Sequence, residues 1–124
     1  MGNFILKDSK ITLYEINKII SNNLQIVLDD IVIHKVKKSR LFLENKISKT
    51  NDLIYGVNTG FGDLHNIKIE HDKLNDLQHN LIRSHACGTG KKINCEIVRL
   101  MLLLKIISLS KGNSGVRLDT INRL

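Results

Sequence analysis

The sequence predicts a mainly α-helical protein, and three patterns along the chain support this. Residues 12–15, Thr-Leu-Tyr-Glu, have the form of a capping box, in which a Thr hydroxyl and a Glu carboxylate satisfy free amides at a helix start. Between residues 74 and 85, apolar residues recur at spacings of three, four and seven, as on one helix face. Residues 97–109 are apolar except at three positions, Arg99, Lys105 and Ser108.

The first half of the chain is expected to contain two helices and a glycine-rich loop. The capping box starts a helix over about 13–22, which Asn22 and Asn23 end, and residues 24–28 form a brief extended segment. Asp29 and Asp30 offer caps for a helix over about 30–46. A short extended segment and a glycine-rich loop then occupy the region near 53–62, where helix is disfavoured.

The second half is expected to be helical with short breaks. A helix starts near residue 73 and ends before the glycines at 88 and 90, and its apolar stripe includes His85, which therefore turns inward. Asn94 caps the next helix, which continues to about residue 111, where Gly112 supplies a left-handed stop. Because 97–109 is apolar nearly all round, we expect that helix at the centre of something larger. A last helix opens near 114 and is expected to continue to the final residue.

Length and composition indicate one soluble, cytoplasmic domain. The chain has 124 residues, of which 42% are hydrophobic and 25% charged, in or near the ordinary globular range. No apolar run is long enough for a membrane span. Residues 1–8 lack the apolar stretch and cleavage site of a secretory signal, so a cytoplasmic location is expected.

The net charge of +7 raises nucleic acid as a partner, and two observations disfavour it. The excess is mostly Lys, 14 against 5 Arg, in a chain crowded with Ile and Asn and without Pro, which is typical of a codon bias towards A and T. Aromatic residues make up only 4%, too few for base-stacking platforms. No nucleic-acid or membrane partner is predicted.

Several common sites are excluded by spacing. Gly60-Phe61-Gly62 lacks the third glycine of a dinucleotide-binding loop, since residue 65 is His. His65, His71 and His79 do not have the spacing of metal ligands on one helix turn, so no metal site is predicted and exposed histidines are expected. Cys87 and Cys95 are interpreted as reduced thiols that pack as small buried side chains.

Four segments of the chain share a different pattern. They are IYGVNTGFG at 54–62, LQHNLIRSHACG at 77–88, VRLMLLLK at 98–105 and SGVRL at 114–118. In order and spacing they closely resemble consecutive blocks of the histidine ammonia-lyase family, within the aromatic amino acid lyases. The resemblance covers roughly residues 10–124, nearly the whole chain.

This resemblance implies the N-terminal part of a helical-bundle enzyme that assembles as a homotetramer. Such enzymes eliminate ammonia using a methylidene-imidazolone electrophile, which forms from an internal Ala-Ser-Gly. That tripeptide is absent from residues 1–124, so they are expected to be the N-terminal portion of a lyase domain, truncated before it, and to be inactive alone. The implied reaction of the whole enzyme is non-oxidative deamination of L-histidine to trans-urocanate and ammonia.

The resemblance also implies the site residues. Tyr55 is the base that removes the substrate β-proton, and the glycines from 56 to 62 let the backbone approach a ligand and move as a lid. Ser84 and His85 resemble the substrate-selecting pair of the histidine enzymes, with His85 bonded to the substrate imidazole. The remaining active-site loop residues are Gly56, Asn58, Thr59 and Gly60.

Other interpretations remain open. Without the resemblance, Tyr55 is a half-buried strand aromatic and His85 a satisfied core histidine. The parent protein could act as a lyase or aminomutase on another aromatic amino acid. This chain could also be a non-enzymatic remnant that interacts with a full-length homologue.

Overall fold

The computed structural model describes residues 2–124, and 54% of the chain is helical, which confirms the predicted fold class. The described residues form two compact units, one of residues up to Ser48 with Ile93–Leu124, the other Lys49–Lys92. The first unit contains β1 (Asn3–Leu6), α1 (Leu13–Ser21), β2 (Gln25–Leu28), α2 (Asp30–Lys49, whose last residue falls in the second unit), α4 (Cys95–Leu109) and α5 (Leu118–Asn122); the second contains α3 (Leu74–His85).

The first unit contains a two-stranded parallel sheet that sequence analysis did not predict in full. Strand β2 occupies the expected extended segment, whereas β1 was missed. Phe4 pairs with Ile26 and Leu6 with Leu28. Two parallel strands that are adjacent in a sheet must be joined by a crossover connection, and α1 lies in the connection between β1 and β2. The local signal for β1 is only the apolar run Phe4-Ile5-Leu6.

Helix α1 begins at the predicted capping box. The Thr12 hydroxyl accepts a hydrogen bond from the Glu15 amide at 3.2 Å, and the Glu15 carboxylate accepts one from the Thr12 amide at 2.7 Å. These contacts satisfy amides that the first helical turn leaves without partners. Asp29 caps α2 in the same manner by accepting from the Ile31 amide at 2.9 Å. Helix α2 continues three residues beyond the predicted end at 46.

The core of the first unit joins residues distant in sequence. Leu6, Val36, Ile106 and Ile121 form one buried cluster, which brings the sheet, α2, α4 and α5 together. Burial of such side chains stabilises each by roughly 1.5–3 kcal/mol. Helix α4 nevertheless remains largely uncovered among the described residues. Its exposed apolar side chains are Ile97, Val98, Met101, Leu102 and Leu104.

The predicted stop after α4 is confirmed, because Gly112 has a φ of +71°. The start of the last helix is a correction. Gly115 also has a positive φ, and a Cβ there would lie 2.5 Å from Leu43 Cδ2, so this position serves the packing of the turn on α2. Arg117 is extended, and α5 therefore begins at Leu118 instead of near 114. It ends at Asn122, so the prediction that it continues to the last residue is wrong.

Helix α3 lies where it was predicted, but only part of its predicted apolar face is half-buried. It follows a 3₁₀ turn at His71–Lys73 and half-buries Leu74, Leu77 and Leu81. His85 is exposed, so the prediction that it turns inward with the stripe is wrong for the described residues. The reason is local, because its ring bonds to groups of its own helix instead of packing under an apolar neighbour.

Two further expectations concern cysteine and the membrane. Cys87 and Cys95 are both free and exposed, so the prediction that they pack as buried side chains is wrong. Both lie at or beyond a helix end, where few side chains surround them. Within residues 2–124, no helix has both the length and the apolar character needed to span a bilayer.

Candidate active site

The glycine-rich loop folds back on the segment that follows it. Thr59 and Lys68 form an isolated antiparallel bridge, and the Ile69 amide donates to the Asn58 carbonyl at 2.9 Å. The Gly60 amide donates to the Ile67 carbonyl at 3.1 Å. Residues 58–60 are therefore held against residues 67–69 by backbone hydrogen bonds.

The buried side chain of Asn58 spans the residues that precede Tyr55. Its Oδ1 accepts a hydrogen bond from the Ile54 amide at 2.7 Å, and its Nδ2 donates to the Asp52 carbonyl at 2.9 Å. The side chain is only 6% exposed. Because unpaired polar groups are costly to bury, this amide fixes the path of the backbone that enters Tyr55.

Thr59 plays the same part on the other side of Tyr55. Its hydroxyl accepts from the Gly56 amide at 3.3 Å and donates to the Gly60 carbonyl at 2.9 Å, and the residue is completely buried. The N–H groups of Ile54 and Gly56, the two neighbours of Tyr55 in sequence, are therefore both bonded to side chains of the loop. Sequence analysis placed Asn58 and Thr59 in the loop without assigning them this contact.

Gly60 and Gly56 meet different local requirements. A Cβ on Gly60 would lie 2.6 Å from the Leu64 Cβ and 2.8 Å from its carbonyl oxygen, closer than any side chain tolerates. The close approach of the two backbones therefore depends on glycine at 60. Gly56 instead has a φ of +71°, the left-handed conformation that side chains disfavour.

Tyr55 is displayed by this loop. Its side chain is 64% exposed, and it lies in a turn closed by the bond from the Val57 amide to the Ile54 carbonyl. The alternative of a half-buried strand aromatic is therefore wrong. The ring of Phe61 meets it edge-on, with centroids 6.2 Å apart at 75°. Phe61 was not predicted as a site residue, and its only signal is its place in the 54–62 block.

Ser84 and His85 contact each other at the end of α3. The Ser84 Oγ lies 2.9 Å from the His85 Nδ1, and both atoms lie 3.0 Å from the Leu81 carbonyl oxygen. Both residues are exposed, so the unbonded edge of the imidazole is open. The interpretation of His85 as a core histidine is therefore wrong, although its ring does have partners.

The predicted site residues fall into two groups. Gly56, Asn58, Thr59 and Gly60 surround the backbone of Tyr55, whereas Ser84 pairs with His85. Within residues 2–124, no hydrogen bond or ring contact joins one group to the other. The histidines at 65, 71 and 79 are exposed, and no group of potential metal ligands occurs in this same part of the chain.

A family model for aromatic amino acid lyases matches residues 11–124 of this chain. The chain belongs to the aromatic amino acid lyase family. The match includes the loop around Tyr55 and the end of α3.

Known relatives agree with this assignment. The histidine ammonia-lyase of Legionella pneumophila (strain Corby) is 43% identical over 121 residues. The match covers 98% of this chain and 24% of the relative, so the chain spans about a quarter of the length of that protein.

Solved structures of the family share the fold. Pantoea agglomerans phenylalanine aminomutase superposes with a TM-score of 0.87 at 32% identity, over 99% of this chain and 24% of that one. Histidine ammonia-lyase from Trypanosoma cruzi superposes with a TM-score of 0.79 at 30% identity, over 96% of this chain and 23% of that one. Both similarities span the two compact units.

Proposed function

We propose that this chain contributes part of the active site of a histidine ammonia-lyase, which converts L-histidine to trans-urocanate and ammonia. The observation that supports this best is the Ser84–His85 pair in a chain 43% identical to a histidine ammonia-lyase. The ring of His85 is open on one edge, and an imidazole can hydrogen bond to a second imidazole. In this role His85, with Ser84 beside it, binds the side chain of the substrate.

Tyr55 acts as the base in the same proposal. Elimination removes a proton from the β-carbon, forms a carbon–carbon double bond and releases ammonia from the α-carbon. The exposed hydroxyl of Tyr55 has no hydrogen bond among residues 2–124 and can therefore meet a substrate. The bonds from Asn58 and Thr59 hold the backbone on both sides of it, and a fixed base needs less ordering at the moment of reaction. Gly56 and Gly60 allow a ligand to approach the loop backbone closely.

The described residues do not fit the formation of the family's methylidene-imidazolone. That group forms from Ala-Ser-Gly, whereas Ala86 is the only alanine in the sequence and Cys87 follows it. The electrophile therefore comes from residues outside these 124, and residues 1–124 form the N-terminal portion of the lyase domain. We expect them to have no turnover by themselves.

The proposal extends to the setting of the whole enzyme. Its partner is a small molecule, L-histidine, and neither nucleic acid nor membrane is involved. The enzyme is a cytoplasmic homotetramer, and the exposed apolar side chains of α4 are the surface that the rest of the assembly covers.

A second candidate function is a lyase or aminomutase reaction on another aromatic amino acid. Its support is the superposition on a phenylalanine aminomutase with a TM-score of 0.87. The backbone of this segment is therefore compatible with either chemistry, and the side chains at 84 and 85 favour histidine.

A hybrid enzyme tests the proposal. In it, the matching segment of the Legionella histidine ammonia-lyase is replaced by these 124 residues. We expect urocanate, followed by its ultraviolet absorbance, from L-histidine and little product from L-phenylalanine. The isolated chain is the matched control and should be inactive. Preference for phenylalanine would favour the second candidate, and a well-folded hybrid without activity on either would favour a non-enzymatic remnant.

A further inference from the structure

The ring nitrogen Nδ1 of His85 is part of a closed set of three polar contacts. It lies 2.9 Å from the Ser84 Oγ and 3.0 Å from the Leu81 carbonyl oxygen. The Ser84 Oγ is itself 3.0 Å from the same carbonyl oxygen. The three atoms therefore contact one another in pairs, and each contact needs a proton to be favourable.

Counting protons selects one arrangement. The Leu81 carbonyl can only accept, so its two contacts require one proton from the Ser84 hydroxyl and one from the His85 Nδ1. Ser84 has a single hydroxyl proton, and once it is donated to Leu81 the oxygen can only accept. The Nδ1–H is then shared between the Leu81 carbonyl and the Ser84 oxygen. The reverse arrangement, in which Ser84 donates to a bare Nδ1, leaves the contacts of Leu81 without protons.

We infer that Ser84 is a positioning residue that, with the Leu81 carbonyl, holds neutral His85 in its Nδ1–H form. The other nitrogen, Nε2, is then unprotonated and accepts hydrogen bonds. In water the histidine side chain favours the other neutral form, with the proton on Nε2. The contacts at the end of α3 therefore impose the Nδ1–H form on His85. Ser84 thereby acts through His85 instead of contacting the substrate.

The state of Nε2 defines the ligand that the site recognises. An acceptor at this position selects a ring that carries an N–H donor and disfavours a ring of similar shape without one, because an acceptor opposite an acceptor is unpaired. The identity of the ligand as the imidazole of histidine rests on the proposed function. The position of the proton on the His85 ring rests only on the contacts with Ser84 and Leu81.

Nitrogen NMR of the histidine-labelled chain measures the pattern directly. Spectra are recorded at about pH 9, where imidazoles are neutral, and His85→Gln identifies the His85 signals among those of the five histidines. We expect the Nδ1–H form to dominate at His85. Ser84→Ala should lower the ratio of Nδ1–H to Nε2–H about threefold, as expected for loss of one weak hydrogen bond, and Ser84→Thr should preserve it.

His65 is the internal control. Its Nδ1 also lies 3.1 Å from a carbonyl oxygen, that of Gly62, but without a hydroxyl beside it, so its signals should not respond to changes at Ser84. A majority of the Nε2–H form at His85, or a ratio that Ser84→Ala leaves unchanged, would overturn the inference.

The hybrid enzyme separates the inference from the proposed function. Ser84→Ala should raise KM for histidine by a factor of less than about two, because a threefold lower ratio removes less than half of the dominant Nδ1–H form. It should leave KM for a thiazolylalanine, whose ring has no N–H, nearly constant and change kcat little. Ser84→Thr should restore the KM for histidine. Equal rises for both amino acids would overturn the ligand assignment. If the hybrid has no activity on histidine while the NMR ratio still responds to Ser84, the proposed function fails and the positioning role stands.

Discussion

The side-chain oxygen of Asn58 accepts a hydrogen bond from the amide of Ile54, the residue immediately before Tyr55, at 2.7 Å. One residue further along, Thr59 accepts from the amide of Gly56, immediately after Tyr55. Two consecutive side chains of the loop therefore hold the backbone amides of the two residues that neighbour the proposed base. The order Tyr-Gly-Val-Asn-Thr-Gly has a structural meaning, because each polar residue reaches back by three or four positions to a defined amide.

Asn58→Ala should loosen the backbone before Tyr55. The substitution removes the hydrogen bonds from the Ile54 amide and to the Asp52 carbonyl, and loss of the acceptor of the Ile54 amide costs about 1–3 kcal/mol where that amide stays away from water. Hydrogen exchange at the Ile54 amide should accelerate, and the hybrid enzyme should lose activity through kcat. Asn66→Ala, at an exposed asparagine, is the control and should change neither quantity. Unaltered exchange at Ile54 in Asn58→Ala would contradict the role given to Asn58.

Gly60→Ala should destabilise the loop more than a glycine replacement elsewhere. The new Cβ would meet Leu64 at 2.6 Å, and relief of such a clash typically costs about 1–3 kcal/mol. Gly88→Ala is the matched control, because nothing lies within 4 Å of a Cβ there. Thermal unfolding followed by circular dichroism compares the two. Equal stability of both variants would mean that Leu64 moves away without cost.

Tyr55→Phe in the hybrid enzyme should lower the elimination rate by about 10²–10⁴-fold, the usual contribution of a positioned base. Only the hydroxyl is lost, and the edge-on contact of the ring with Phe61 can remain, so the fold should be unchanged. Circular dichroism verifies the fold, and Tyr14→Phe, on an exposed tyrosine of α1, is the matched control. A rate within about threefold of the parent would remove Tyr55 from the base role.

Replacing Ser84-His85 by Phe-Leu should abolish most activity of the hybrid on histidine. A site that bonds a substrate ring nitrogen discriminates by up to about 10⁴-fold, since the lost partner leaves a polar group unpaired. Some activity on phenylalanine is expected as well, although it also needs suitable residues elsewhere in the pocket. Both reactions are followed by absorbance of their unsaturated products. Retention of the parental kcat/KM on histidine would remove the substrate-binding role of His85.

Acidification should weaken the start of α1. Hydrogen bonds from the Thr12 amide and then its hydroxyl hold the pKa of Glu15 below its ordinary value of 4.5. A carboxyl whose pKa is lower in the folded state stabilises the fold at pH above its unfolded pKa and loses this contribution as pH falls through the folded value. Glu15→Gln should therefore reduce stability near neutral pH and flatten its decline in acid.

Thermal unfolding of the chain between about pH 6 and pH 3 gives the comparison. Glu70→Gln, which removes an exposed carboxylate outside a capping box, is the control and should retain the parental pH profile. Asp8 also makes the fold less stable as pH falls, and it does so equally in every variant, because the hydrogen bond from Lys35 lowers the pKa of its carboxyl group. Identical profiles for Glu15→Gln and the parent would show that the capping box does not depend on this charge.

Much of the local structure follows from residues close together in sequence. The capping box at Thr12 and Glu15 needs only a four-residue pattern, and Asn94 begins α4 by the same local rule. The glycine at 112 ends that region by its own conformational freedom. Short-range hydrogen bonds determine these features wherever the segment occurs, so they could be predicted from the sequence.

The residues of the candidate site could be named from the sequence, but their contacts and exposure could be predicted only in part. The loop block pointed to Tyr55, and the pair at 84 and 85 pointed to a substrate contact, by resemblance to a family. The partners of Asn58 and Thr59 were not evident, since they depend on the turn that the loop adopts. Nor was the exposure of His85, whose ring bonds to groups of its own helix instead of packing with the apolar stripe.

The sequence by itself determined the helical class, the helix starts other than that of α5, and the family, because capping, spacing and motif are properties of neighbouring residues. Tertiary structure decided the rest. Strand β1 exists because residues 3–6 find a partner at 25–28, and the last helix begins late because Gly115 packs against Leu43. Such contacts join segments far apart in the chain, and their free energy comes from burial and pairing that no local pattern encodes.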